Sequence, residues 1–284
     1  MKIIFSRKGF DSASGGGASP IFPDGRMVSL PIPDKQSPIR YKDIRWQEYN
    51  LGSLVSDLTK GRISVSGRAH LDPDLNADSI PRRSGWRPIF GQTGAAQGHL
   101  RNNNVRPGDI FLFFGLFCRV VCVMGKLQWD KTFPPCHVFW GWLQIDDALP
   151  VDKCELSQYR WARYHPHFHR TSDTRNTLYV ARKDLTVPGV ATGRSAGAGV
   201  FSHFSKQLQL TATSAARHGL WELPQWFYPR DGKCPLTYHS DMTRWHKSKR
   251  GTQLNTVGRG QEFVLNADEY PEASEWLKVL LTIA

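Results

Sequence analysis

Five stretches of the chain carry residues whose types and spacing suit chemistry. The first is Ser6-Arg7-Lys8-Gly9-Phe10-Asp11, which runs into Gly15-Gly16-Gly17 and on to Asp24-Gly25-Arg26. Backbone amides of a glycine-rich loop can approach a phosphate closely. Arg7 and Lys8 can neutralise it, Asp24 can hold a polar group of the ligand, and Asp11 offers a carboxylate for proton transfer. No Gly-Lys-Ser/Thr follows the glycines, so this is not a P-loop. A hairpin loop with surface charges fits the same residues.

The second stretch is His70-Leu71-Asp72-Pro73-Asp74. Alternating His, Asp and Asp could bind a metal or supply a base at Asp72, and Asp before Pro is also a plain turn signal. The third is Gly85-Trp86-Arg87-Pro88 followed by Gly91-Gln92-Thr93-Gly94-Ala95-Ala96-Gln97-Gly98-His99. Small residues leading into a helix N-terminus make an anion site from free amides, centred on Thr93. Gln92 and Gln97 could pair with a base edge or ribose, Trp86 could stack on a base, and Arg87 and His99 are further ligand- or phosphate-binding candidates. Helix capping and tight packing of small residues explain the pattern equally well.

The fourth stretch is His165-Pro166-His167-Phe168-His169, where alternating histidines on an extended segment would share one face as metal ligands do. Pro166 and the flanking Arg163 and Arg170 make it equally a basic loop. His70, Asp74, His165, His167 and His169 are therefore weak metal candidates, and no metal is assigned. The fifth is Arg259-Gly260-Gln261-Glu262-Phe263-Val264. Glu262 opens an apolar strand and could be a catalytic base, a ribose ligand, or simply the ion-pair partner of a neighbouring arginine. There is no Gly-x-Ser-x-Gly elbow, and a Cys/His dyad cannot be identified from sequence order. Nothing in the residues names a cofactor.

The elements that must hold these stretches follow from hydrophobic pattern. Lys2–Ser6 reads as a buried first strand, and Arg26–Leu30 as a second that completes a wide hairpin with it. Pro31, Pro33 and Pro38 then forbid regular structure. Leu51, Leu54, Val55 and Leu58 stand at helical spacing, and Gly61 ends that helix. Residues 60–92 read as irregular, and Thr93–Leu100 as a short helix. Ile110–Phe117, Arg119–Leu127 and His137–Ile145 read as three strands of an antiparallel meander. Leu178–Arg182 and Glu262–Leu265 add strands, and 188–200, rich in Gly and Ala, reads as a loop. Trp276, Leu277, Leu280 and Leu281 form one stripe of a C-terminal helix that Pro271 can open. Helices and strands do not alternate strictly. The expected class is α+β: a mostly antiparallel mixed sheet with a few short helices and a C-terminal helix, in one domain over residues 1–284.

Composition narrows the partner. The formal charge of +12 is large enough to draw polyanions. Five arginines (Arg82, Arg83, Arg87, Arg101, Arg106) fall in 79–108 without a carboxylate. Aromatics interleave with the charge at Trp86, Trp226, Phe227, Tyr228 and Trp245, as in nucleic-acid-binding surfaces. A nucleotide or nucleic acid is the expected partner. The five cysteines are odd in number and hold no Cys-x-x-Cys pair, which argues against a disulfide framework and fits a reducing, cytoplasmic setting. No apolar run is long enough to span a bilayer, so no membrane is expected as partner.

Taken together, "SRKGFDSASGGGASPIFPDGRMVSLPIPD" (Ser6–Asp34), "AHLDPDL" (Ala69–Leu75), "GWRPIFGQTGAAQGHL" (Gly85–Leu100), "GDIFLFFG" (Gly108–Gly115) and "GRGQEFV" (Gly258–Val264) resemble the third of the nucleotide-modification-associated domain families. The resemblance follows the same order over nearly the whole chain. It implies a role near nucleotide or DNA-base modification, without residue roles of its own. The leading expectation is an enzyme that binds a nucleotide phosphate on the Gly15–Gly17 loop or at the Thr93 helix start, with Asp11, Asp72 or Glu262 as acid/base and Arg7 stabilising charge. The alternative is a non-catalytic reader of modified nucleic acid, since "RPGDIFLFFG…HVFWGWLQID" is similar in rhythm to the small barrels of PUA-like domains.

Overall fold

A computed structural model describes residues 1–155, 157–170, 173–187, 196–213 and 215–283. Its main strands are β1 (Lys2–Arg7), β2 (Ser19–Ile21), β3 (Ile89–Gln92), β4 (Ile110–Val123), β5 (Lys126–Trp129), β6 (Cys136–Pro150), β7 (Thr177–Ala181), β8 (Ala198–Val200) and β9 (Glu262–Asn266). Its α-helices are α1 (Leu51–Leu58), α2 (Gly94–Asn102) and α3 (Glu272–Leu281). This is the α+β arrangement the sequence implies. Among the described residues no helix is long and apolar enough to cross a membrane.

β1 is buried on both faces from Ile3 to Ser6, as its unbroken apolar run requires. It runs antiparallel to β9 and parallel to β4. The sheet continues from β4 to β6, β7 and β3, giving the order β9-β1-β4-β6-β7-β3. Strands β2 and β5 pair with the far half of β4, and β8 pairs with β6. β6 carries irregularities of register between Phe139 and Gly141 and between Ile145 and Asp147. Such bulges bend a strand and raise its twist.

Several expectations change. β4 does not stop at Arg119: that side chain is exposed between buried Cys118 and Val120, so the strand passes through with its outward residue in solvent. The expected meander is antiparallel at β4–β6, but β1 and β2 both lie parallel to β4. Arg26–Leu30 does not pair with β1. Met27 bridges Ile21 and Arg26 bridges His203, and the strand beside β4 is β2 instead. Residues 60–92 contain β3 and the short strand Ala69–His70, which pairs with Ile32–Pro33 despite the proline. A two-residue edge ladder leaves Pro33 free of any need for an N–H. Of the expected loop at 188–200, residues 188–195 lie outside the described residues and Ala198–Val200 forms β8.

One face of β1 packs its Phe5 ring against Phe139, Trp221, Phe227 and Trp276. Trp276 comes from α3, whose Leu277, Leu280 and Leu281 are buried. Trp221 comes from a three-stranded sheet of Leu220–Leu223, Thr252–Asn255 and Trp245–Lys247. Phe227 and Trp245 are thus core residues, not surface stacking groups. The opposite face carries Phe90, Phe111, Phe113 and Tyr179 in mutual edge and offset contact. A second core under α1 gathers Phe10, Tyr41, Trp46 and Leu54.

Candidate functional site

A cleft of about 750 Å³ opens where four segments end. The C-terminal end of β1 brings Arg7 and Lys8. The end of β3, the Thr93 cap and helix α2 bring Gln92, Thr93 and His99. The start of β9 and the segment before it bring Arg259 and Glu262. The remaining wall holds His70, Asp72, His167 and Arg170.

Glu262 forms one wall. It lies opposite Ser6 in the β1–β9 ladder and is 1% exposed, so its charge has to be balanced locally. Its Oε1 accepts from Ser6 Oγ (3.0 Å), Lys8 Nζ (2.8 Å) and Gln92 Nε2 (2.5 Å). Its Oε2 is equally buried and accepts from none of the described groups. Burial pushes the carboxyl above its ordinary pKa, against the pull of Lys8, Ser6 and Gln92. The Lys8 ammonium also lies 4.9 Å from the centre of the Phe90 ring, so its cationic head is held at the cleft floor.

His99 projects from α2, with its Nε2 2.9 Å from Thr237 Oγ1. Its ring is stacked on Tyr238 at 4.2 Å between centroids, and Tyr238 is half-exposed. Burial lowers the His99 pKa. Arg7 and Arg259 line the cleft without an ion-pair partner among the described residues.

The facing wall joins two stretches that are far apart in sequence. Asp72 Oδ2 is 3.5 Å from His70 Nε2 and 3.3 Å from His167 Nε2, and Oδ1 is 3.3 Å from His165 Nε2. Oδ1 also accepts the Gly91 amide at 2.8 Å. His70 Nδ1 is 2.8 Å from Asp34 Oδ2, and His167 Nδ1 is 2.5 Å from Asn176 Oδ1. Burial disfavours the Asp72 charge, but the contacts with His165, His167 and His70 outweigh it and hold the carboxyl well below its usual range. Burial likewise opposes a charge on His70, yet hydrogen bonds to Asp34 and Asp72 raise its pKa. His165 is driven towards neutrality by burial. A Cβ on Gly91 would sit 2.4–2.7 Å from atoms of the His167 ring, so the missing side chain makes room for that imidazole.

The structure therefore brings Arg7, Lys8, Asp11, His70, Asp72, Gln92, Thr93, His99, His167 and Glu262 to one cleft, with His165 directly behind Asp72. Asp11 sits at its edge, where Oδ1 accepts the amides of Ala13 and Ser14 and so orders the loop. The other sequence candidates have separate partners. The Gly16 and Gly17 amides point to the Asp11 carbonyl, not to the cleft. The α2 N-terminus holds the Asp173 carboxylate, which accepts from Thr93 Oγ1 (2.7 Å) and the Gly94 amide (2.9 Å). Gln97 Oε1 accepts from Tyr179 Oη in the core. Asp24 pairs with Arg26, Trp86 Nε1 donates to Tyr164 Oη, and Arg87 pairs with Asp146. Asp74 takes a two-pronged bond from Arg82, and His169 meets the Arg163 carbonyl. Sequence reasoning did not find Asp34, Asn176, Tyr238 or Asp173. A lone Asp or Asn in a polar loop carries no signal of what it will face.

No curated protein and no solved structure matches the chain. The family model for nucleotide modification associated domain 3 matches residues 2–266, so the chain belongs to that family.

Proposed function

We propose that the cleft is the active site of an enzyme that modifies a nucleotide, or a nucleotide unit of DNA, at its base. The observation that carries this reading is Glu262 Oε2: a buried carboxylate oxygen on the cleft wall with no donor among the described residues, beside an Oε1 that has three. A structural ion pair has no need to leave one oxygen unmet at such cost. A carboxyl whose pKa is raised by burial suits proton transfer to or from a ring nitrogen or an exocyclic group.

The surroundings suit the rest of a nucleotide. Arg7 and Arg259 offer charge for a phosphate, and the His99–Tyr238 stack offers a flat face for a base. The volume admits a mononucleotide with room for a second reactant. In this reading Glu262 is the acid/base, Gln92 and Lys8 orient it, and the arginines hold the substrate. Family membership supports the nucleotide as substrate class.

A second reading is a reader without chemistry. It is favoured by the way the two ends of the strand order meet at Gln92 and Glu262, which gives the barrel-like enclosure such modules use to hold a flipped base. Thermal melting separates the two. Ligand at about a hundred times its Kd stabilises the folded state by about 2.7 kcal/mol. An enzyme should be stabilised by a small nucleotide at high salt, with Glu262→Gln retaining binding and losing turnover. A reader should respond only to DNA, and lose that response as salt rises. Stabilisation by neither nucleotides nor DNA overturns both readings.

A further inference from the structure

We propose that His70, Asp72 and His167 bind one divalent transition-metal ion, with its open coordination positions facing the cleft. The inference goes beyond the nucleotide reading and does not rest on it.

Hydrogen-bond bookkeeping leads to it. Asn176 Nδ2 donates to the carbonyls of His167 (2.8 Å) and Arg170 (3.1 Å), which fixes the amide so that Oδ1 is the acceptor turned to His167. His167 Nδ1 must then carry a proton, and in the neutral imidazole Nε2 presents a lone pair. Asp34 is likewise an acceptor and takes the proton of His70 Nδ1, so in the neutral imidazole His70 Nε2 also presents a lone pair. Both lone pairs point at Asp72 Oδ2, itself only an acceptor, from 3.5 and 3.3 Å. Three acceptors crowded together in a buried wall repel one another unless a metal cation or added protons lie between them.

The separations from Asp72 Oδ2 to the two imidazole nitrogens, 3.5 and 3.3 Å, fit an ion. Ligand atoms about 2.0–2.1 Å from a tetrahedral metal stand roughly 3.3–3.4 Å apart. The three candidate atoms all lie within 4.8 Å of one another. The outer partners fit as well. Histidine ligands commonly give their second N–H to a carboxylate or carbonyl oxygen, and here both do. Asp72 Oδ1 is anchored by the Gly91 amide, and His165, whose Nδ1 accepts the His167 amide, turns its Nε2 to the same oxygen. Oδ2 alone is left for the ion. Two imidazoles and one carboxylate suit zinc or ferrous iron better than magnesium or calcium.

Tag-free protein stripped with a chelator and titrated with Co²⁺ or Zn²⁺ alone tests this. The expected result is one ion per chain, with affinity at least about tenfold weaker in His167→Gln and in Asp72→Asn and unchanged in His169→Gln. Circular dichroism of the stripped variants checks folding. If a variant does not fold, X-ray absorption of the zinc-loaded wild type decides, because it should show two imidazoles at about 2.0–2.1 Å. Substoichiometric binding, a zinc shell without imidazole, or equal weakening by His169→Gln would overturn the proposal. So would nitrogen NMR showing both imidazoles doubly protonated in metal-treated protein.

Discussion

Gln92 donates from Nε2 to Glu262 Oε1 at 2.5 Å although the two residues are 170 positions apart and their strands end opposite sides of the strand order. The sheet curls until its first and last strands face each other, and the cleft lies at that seam. Lys8, just past the end of β1, completes the contact at 2.8 Å. The seam is held by charge and hydrogen bonds around one buried carboxylate.

Breaking that arrangement on one side should cost more than removing it. Lys8→Met leaves Glu262 buried without its cation and is expected to destabilise by about 3 kcal/mol. Adding Glu262→Gln removes the stranded charge and should recover more than half of the loss. Urea denaturation of the two single variants and the double variant measures this. A double variant whose loss equals the sum of the two single losses would show that the pair is not coupled.

Much of this architecture was legible in the sequence, and its closure was not. β1, β9 and α3 follow from apolar runs and helical spacing that local physics determines. Glu262, Gln92, Arg7 and Lys8 are visible as chemistry-bearing residues on such elements. That Gln92 meets Glu262 depends on bulges in β6 and on accumulated twist, which no local pattern encodes. The histidines illustrate the same limit. His70-x-Asp72 and His165-x-His167 are each unremarkable alone, and only the packing of His167 onto Gly91 brings them together. The reverse error has the same origin. Glycine amides and a helix N-terminus look like phosphate sites until the Asp11 carbonyl and Asp173 are seen to occupy them.

Gly91→Ala should separate the cluster from the fold. The added methyl would meet the His167 ring at 2.4 Å, so the imidazole must move while β3 keeps its ladder with β7. Overpacking of this kind costs about 1–3 kcal/mol. The variant is expected to remain folded by circular dichroism and to bind Co²⁺ at least about tenfold more weakly. Undiminished Co²⁺ binding would mean that His167 is not a ligand.

Stability should fall on mild acidification. Burial lowers the pKa of His137 to about 3 and of His239 to about 4, and also lowers those of His99, His165 and His218. The unfolded chain binds these protons near pH 6.5 and the folded chain does not. The stabilisation is therefore complete above about pH 6.5 and is lost as pH falls towards 4 and 3. In the metal-free protein His70, with a raised pKa, works in the opposite sense but is one against five. Each proton taken up only on unfolding contributes a slope of about 1.4 kcal/mol per pH unit. Urea midpoints at pH 7, 6 and 5 check this, and a flat profile would show that these histidines are not buried as neutral groups.

The cleft arginines should set the salt dependence of nucleic-acid binding. Arg7→Gln and Arg259→Gln are each expected to reduce the slope of log K against log salt by about one for a short DNA duplex. Arg26→Gln should leave it unchanged, because Arg26 is already neutralised by Asp24 and Glu48. Fluorescence anisotropy across a salt series gives the slopes. An effect of Arg26→Gln equal to that of the cleft arginines would place DNA elsewhere.

The central claim is that a nucleotide occupies the seam between β1, β3 and β9. Hydrogen–deuterium exchange of the whole protein, with and without a saturating deoxynucleoside monophosphate, reads this directly. Protection is expected in segments 6–11, 91–99 and 257–262, and not around Asp24 or Arg87. Nucleotide binding that protects none of those three segments, or no binding at all, would contradict the account.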